Sequence, residues 1–235
     1  MFKTEKSPLT KLLEPKDKQL KSSIDCLPKT GYYIWVLVGK RGSGKSNLLL
    51  NALENAELYK KHYDNIFLIS PTANRDDKFQ ALCKELSKED KCYEDVSNKI
   101  IEEILERIQN YNDEHKKRKR KPHNLIIFDD CISMLPRSTE KGSIFNKLIV
   151  QNRHYKTDVF ITTQQFKKLS PLVRSNIDMI SFFRNDNVME KKSFMEEYNI
   201  SEELLDDATD EAHSFLHICF NSNKPTYFKR FDKYV

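Results

Sequence analysis

Glycine is scarce in this chain. There are five in 235 residues, and three of them, Gly39, Gly42 and Gly44, crowd into one short stretch. Cysteine is also sparse and scattered: the five (Cys26, Cys83, Cys92, Cys131 and Cys219) form no C-x-x-C pair. An odd, dispersed set argues against a disulfide framework or a paired-cysteine zinc site, and suggests reduced thiols in a cytosol-like compartment. No apolar run approaches the length of a membrane-spanning helix. The opening Met1-Phe2-Lys3-Thr4-Glu5-Lys6 lacks the apolar core of a signal peptide, so the expectation is a protein that is neither secreted nor membrane-spanning. There is no internal repeat. The formal net charge of +5 is mild, permitting a nucleic-acid partner without establishing one.

What is present begins with the clustered glycines. Gly39-Lys40-Arg41-Gly42-Ser43-Gly44-Lys45-Ser46 fits G-x-x-x-x-G-K-[ST], the phosphate-binding P-loop. An apolar, strand-like segment from Tyr32 to Val38 precedes it, and Asn47-Leu48-Leu49-Leu50-Asn51-Ala52-Leu53 follows as a helix. Strand, loop and helix is the arrangement the chemistry requires. Glycine lets the backbone turn tightly and approach a ligand closely. Backbone N–H groups from Gly39 to Asn47 can then face phosphate oxygens, aided by the positive end of the helix. Lys45 would reach the β- and γ-phosphates of ATP, and the Ser46 hydroxyl would ligate Mg²⁺.

The chain reads as one α/β domain over residues 31–235, with a central, mostly parallel sheet flanked by helices and a C-terminal β-hairpin. Residues 1–30, lysine-rich and carrying Pro8, Pro15 and Pro28, read as an arm or irregular lead-in. Further strands are expected at 66–69, 124–128, 158–162 and 179–183, with helices over 76–110, 143–152 and 190–208. The hairpin pairs 213–220 with 226–231 across Asn221-Ser222-Asn223-Lys224-Pro225.

Ligands of such sheets bind at the carboxyl ends of the strands. Strand 124–128 ends in Asp129-Asp130, which reads as a Walker B pair: Asp129 holding Mg²⁺ through water, Asp130 orienting or deprotonating the attacking water. Strand 158–162 leads to Gln164, suited to the γ-phosphate or the water, with a surface glutamine as the alternative. Arg153 and Arg174 are candidates for stabilising transition-state charge, with surface salt bridges or nucleic-acid contacts as alternatives. The basic run Lys116-Lys117-Arg118-Lys119-Arg120-Lys121 reads first as a solvated loop, and second as a phosphate-contacting or nuclear-localisation-like patch. It precedes a strand and so should lie at the edge opposite the nucleotide site. His213, His217 and Cys219 lack a fourth ligand for zinc.

The motifs occur in a specific order. After the P-loop come Ile-Ser-Pro-Thr (69–72), Ile-Ile-Phe-Asp-Asp (126–130), Asn-Arg-His (152–154), Thr-Thr-Gln-Gln-Phe-Lys-Lys-Leu-Ser-Pro (162–171) and Val-Arg-Ser-Asn (173–176). Over about residues 30–230 this resembles the poxvirus-type DNA-packaging ATPases of large eukaryotic DNA viruses and virophages, in the FtsK/HerA superfamily. The resemblance implies an ATP- and Mg²⁺-dependent motor, usually a hexameric ring, that pumps double-stranded DNA into a capsid without reading its sequence. It implies capsid proteins as partners and a location in the host cytoplasm or viral factory, or with the virion. It matches Lys45 and Ser46 to Walker A, Asp129 to Walker B and Gln164 to the polar sensor. Arg174 falls where the superfamily often places a subunit-interface arginine, with Arg153 the second candidate. Bacterial relatives commonly carry Glu at the position of Asp130, one methylene longer. A nucleotide-dependent assembly switch and a P-loop kinase remain the alternative readings.

Overall fold

The structure, a computed structural model, describes residues 4–5, 26–27, 32–56, 58–73, 79–135, 143–220 and 224–235. Its centre is the apolar run Ile34–Val38 (β2), buried at every position. Ile34, Val36 and Val38 face one core, while Trp35 and Leu37 face the other. A strand covered on both faces reads as a continuous apolar run rather than an alternating one, as central strands of parallel sheets do.

Five more strands lie parallel to β2 in one sheet: Asn65–Ile69 (β3), Cys92–Tyr93 (β4), Asn124–Asp129 (β5), Thr157–Thr163 (β6) and Met179–Phe183 (β7). Their spatial order is β7-β2-β6-β5-β3-β4, so β6 separates the P-loop strand from the Asp129 strand. Beyond β7 the sheet continues antiparallel through Phe215–Cys219 (β8), Thr226–Lys229 (β9), Asp232–Tyr234 (β10) and the two residues Thr4–Glu5 (β1).

Helices cover both faces. Lys45–Glu54 (α1) and Gln80–Ser87 (α2) pack on the Trp35 side through Leu48, Leu49, Ala52, Cys83 and Leu86. The other face is covered by Asn98–Glu114 (α3), Ile144–Gln151 (α4), Pro171–Arg174 (α5), Val188–Tyr198 (α6) and Glu202–Ala208 (α7). The expected hairpin is present as β8–β9, with Leu216 opposite Lys229.

Three expectations need correction. The helix expected over 76–110 is broken: α2 ends at Ser87, Asp90 takes a left-handed φ of 52°, and Cys92–Tyr93 pairs with β3 before α3 begins. The helix expected over 190–208 is likewise two, because Asn199 closes α6 at φ 52° and the Ser201 hydroxyl accepts from Leu204 N to start α7. The last strand expected over 226–231 stops at Lys229, since Arg230 turns at φ 54° and the chain returns as β10.

The arm expected over residues 1–30 lies largely outside the described residues. Those that are described join the body: Thr4–Glu5 pairs with β10, and Cys26 and Leu27 are buried in the Trp35-side core.

Candidate functional site: a P-loop at the carboxyl edge of the sheet

Strand register assembles the site. Val38 lies beside Thr163, and Gly39 N donates to Thr163 O at 3.0 Å, so the P-loop and Gln164 leave the sheet side by side. Asp129 lies beside Thr162, and Ile69 beside Phe128, which places Ser70 next to Asp129. Four strands thus deliver Gly39–Ser46, Ser70, Asp129-Asp130 and Thr162–Gln164 to one edge.

The loop turns where its glycines permit. Gly42 has φ 77° and Gly44, the residue that caps the start of α1, φ 109°. Gly39 is needed for space instead: a Cβ there would lie 2.5 Å from Ser43 Oγ and 2.7 Å from Phe183 Cβ. No acidic residue occupies the first turn of α1, so the positive helix end faces the loop without a competing carboxylate. Lys45 is buried, and its ammonium donates to Gly39 O at 2.7 Å and Lys40 O at 3.2 Å. The buried Ser43 Oγ has no hydrogen-bond partner among the described residues. A buried cation resting on loop carbonyls, an unsatisfied buried hydroxyl and a loop turned at two positive-φ glycines fit the phosphates of a nucleotide.

Asp129 is buried and held at both oxygens. Thr162 Oγ1 donates at 2.6 Å and Ser70 Oγ at 2.9 Å. Burial raises its pKa from the ordinary aspartate value, against the opposing pull of those two hydroxyls. Each hydroxyl uses one lone pair of an oxygen, leaving others to accept from the water shell of a cation. With the half-buried Ser46 hydroxyl, this oxygen donor set fits Mg²⁺.

Asp130 is exposed and strained, at φ 49°, a conformation uncommon outside glycine. Its N–H donates to Thr162 O and Thr162 Oγ1, both at 3.1 Å, which aims its carboxylate away from the sheet, and the Gln164 amide donates to that carboxylate. Asp130, Ser133, Thr163, Gln164 and Lys168 line a cleft of about 320 Å³.

A second cleft, of about 260 Å³, opens on the opposite flank of the P-loop. Its walls include Lys40, ion-paired with Asp186, together with Arg184 and His213. His213 sits at φ 61°, and its Nδ1 lies 3.2 Å from Ser43 O, bringing the segment before β8 against the loop. Sequence reasoning missed Ser70, Thr162, Asp186 and His213. Ser70 was the most findable, as the first polar residue after an apolar strand.

The structure does not bring the two arginines to this cluster. Arg174 pairs with Glu197 at 3.3 Å, and its guanidinium sits 5.6 Å from the centre of the Phe166 ring. Arg153 is exposed in the turn entering β6, at the amino end of the strands, 3.4 Å from Asp178. Neither contacts the P-loop or the paired aspartates among the described residues. His217 is a core residue: Trp35 Nε1 donates to Ser181 Oγ at 3.1 Å, and Ser181 Oγ lies 2.9 Å from His217 Nδ1.

A parallel sheet with a P-loop on one strand and a buried aspartate two strands away defines a P-loop NTPase. Residues 24–206 match the family described as Poxvirus A32 protein. The chain belongs to that family. It is similar to the uncharacterised protein L437 of Acanthamoeba polyphaga mimivirus, 26% identical over 168 residues, covering 69% of this chain and 56% of that protein. It is also similar to protein 015R of Frog virus 3, 28% identical over 154 residues, covering 65% and 44%. The chain therefore spans about half the length of these two relatives. Among solved structures it resembles B204, described as the DNA-packaging ATPase of Sulfolobus turreted icosahedral virus, with TM-score 0.60, 17% identity and coverage of 86% and 97%. The genome-packaging NTPase B204 of Sulfolobus turreted icosahedral virus 2, solved with ATP-gammaS, aligns with TM-score 0.58, 19% identity and coverage of 85% and 98%. No helix among the described residues is long and apolar enough to cross a membrane.

Proposed function

We propose that this chain is an ATP-driven double-stranded DNA translocase that packages a viral genome, hydrolysing ATP to ADP and phosphate. The observation that carries the reading is the convergence of the P-loop, Asp129, Asp130 and Gln164 at the carboxyl edge of one sheet. Family membership and the B204-like fold support packaging as the purpose. The backbone from Gly39 to Asn47 cradles the phosphates, and Lys45 exchanges its loop carbonyls for phosphate oxygens. Ser46 and Asp129 hold Mg²⁺, which supplies charge neutralisation of the phosphates when bound. Asp130 accepts a proton from the attacking water. Gln164, already bonded to Asp130, orients that water and relays its loss to the chain beyond β6.

Arg174, or Arg153 in second place, serves as a finger reaching a neighbouring subunit's site. Their absence from the chain's own cluster is what a finger acting between subunits requires. The assembly is a homo-oligomer, a hexameric ring in this reading, acting on DNA without sequence preference beside capsid proteins, in the host cytoplasm or viral factory or on the virion.

The test is turnover and nucleotide affinity of Asp130→Asn and Gln164→Ala. Loss of a positioned base lowers rate by about 10²–10⁴-fold. Asp130→Asn should fall in that range with nucleotide affinity retained. Unchanged turnover would remove Asp130 from the chemistry, and phosphorylation of an added acceptor would move the chain to the kinases.

A further inference from the structure

The run Lys116–Lys121 takes no part in the nucleotide site, yet it is the densest charge in the chain. It follows α3 and enters β5, and all six residues are exposed. The whole chain carries a formal net charge of +5, so outside these six cations it is close to neutral.

The fold concentrates the charge further. Three loops at the amino edge of the sheet are stitched together: Asp64 N donates to His123 O at 2.7 Å, Asn124 N to Lys156 O at 3.0 Å, and Arg120 Nη1 to His62 O at 2.9 Å. Exposed Lys60 and Lys61 on the first loop, and half-buried Lys156 on the third, therefore share the edge with the run. Acidic groups there are largely committed. Asp64 pairs with Arg120 at 2.7 Å and Arg118 at 3.8 Å, and Asp178 with Arg153 at 3.4 Å. Asp158 is buried, accepting from Tyr33 N and the Tyr63 hydroxyl. Lys116, Lys117, Lys119 and Lys121 have no ion pair among the described residues, and only Asp113 and Glu114 flank them uncommitted.

Exposed lysines without partners, held on a stitched scaffold and lacking exposed large apolar side chains, suit a polyanion bound through its charge. We propose that this amino edge is a binding surface for the phosphate backbone of duplex DNA. The proposal rests on the reading of the chain as a DNA-handling ATPase. It places the grip at the opposite end of the strands from the nucleotide: β5 runs from the basic loop to Asp129 in six residues, about 20 Å.

The experiment is fluorescence anisotropy of a labelled random-sequence duplex against KCl concentration, using the full chain at concentrations where its oligomeric state is known. The variants are K116S/K117S/K119S/K121S, K60S/K61S on the neighbouring loop, and a control, K147S/K192S, on exposed positions of α4 and α6. Each phosphate neutralised contributes about 0.9 to the slope of log affinity against log salt. The fourfold variant should lose up to about 3.6 of that slope and at least about tenfold in affinity, K60S/K61S less, and the control neither. Melting and nucleotide affinity like the parent's show that the variants are folded, and K60S/K61S keeps the test open should the fourfold variant fail. Unchanged slopes in both edge variants, while the parent binds DNA, would overturn the surface and leave the packaging reading intact. An equal loss in the control would reduce the effect to net charge and overturn it too. Polyglutamate competing as well as DNA would reassign the edge to acidic proteins, and no DNA binding by the parent oligomer would overturn both readings.

Discussion

His217 gives the structure a defined acid sensitivity. It is fully buried on β8, in edge-to-face contact with Trp35 of the P-loop strand. Its Nε2 lies 3.3 Å from Cys26 O, a carbonyl that can only accept, so Nε2 carries the hydrogen and Nδ1 accepts from the Ser181 hydroxyl. Protonation of Nδ1 would break that bond and bury a charge, and burial holds the imidazole down to about 3 from its usual 6.5. The folded value lies below the unfolded one, so this stability is fully present above about pH 6.5 and is lost as pH falls toward 3. At about 1.4 kcal/mol per pH unit below 6.5, the loss near pH 5 is about 2 kcal/mol. For a chain of this length that is about 4–8 °C in Tm. Urea unfolding near neutral pH and near pH 5 measures it directly. His217→Gln keeps an acceptor and a donor but does not titrate. It should be less stable than the parent at both pH values, yet lose about 2 kcal/mol less between them. An acid loss in His217→Gln as large as the parent's would refute the reasoning.

Three further outcomes follow from the site. Gly39→Ala should cost about 1–3 kcal/mol in overpacking, offset by about 0.4–1 kcal/mol of unfolded-chain entropy, and weaken nucleotide binding. Adding Ser43→Ala should recover part of the lost Tm, because the 2.7 Å approach to Phe183 Cβ persists. Gly42→Ala, with nothing within 4 Å but φ 77°, should cost only backbone strain of about 1–2 kcal/mol. Asp129→Asn should raise stability near neutrality while abolishing turnover. Burial raises the folded carboxyl above its unfolded value, so the native state loses stability as pH rises through that window, and the amide removes the loss. A Tm at or below the parent's near neutral pH would contradict that cause.

The central strands were legible because burial on both faces leaves an unbroken apolar run, as in Ile34–Val38 and Leu125–Phe128. The P-loop was legible because its glycines are forced by φ and by space. The breaks at Asp90, Asn199 and Arg230 were not, since each rests on one residue entering the left-handed region within a polar stretch that also suits a helix or a strand. Strand β10, only three residues, was too short to register as a pattern. At the site, Lys45, Asp129, Asp130 and Gln164 could be named from the sequence. Their convergence comes from parallel register, which pairs Val38 with Thr163 and Asp129 with Thr162 across chain separations no local pattern encodes. Ser70 and Thr162 gained their role only through that register, and His213 only because β8 returns beside β7.

The most direct measurement is Mg²⁺-dependent ATP hydrolysis against protein concentration, with and without double-stranded DNA, beside Lys45→Ala. A ring translocase predicts turnover per chain that rises with concentration and with DNA, and that vanishes in Lys45→Ala. Turnover indifferent to DNA at concentrations where the protein is shown to be oligomeric would contradict it.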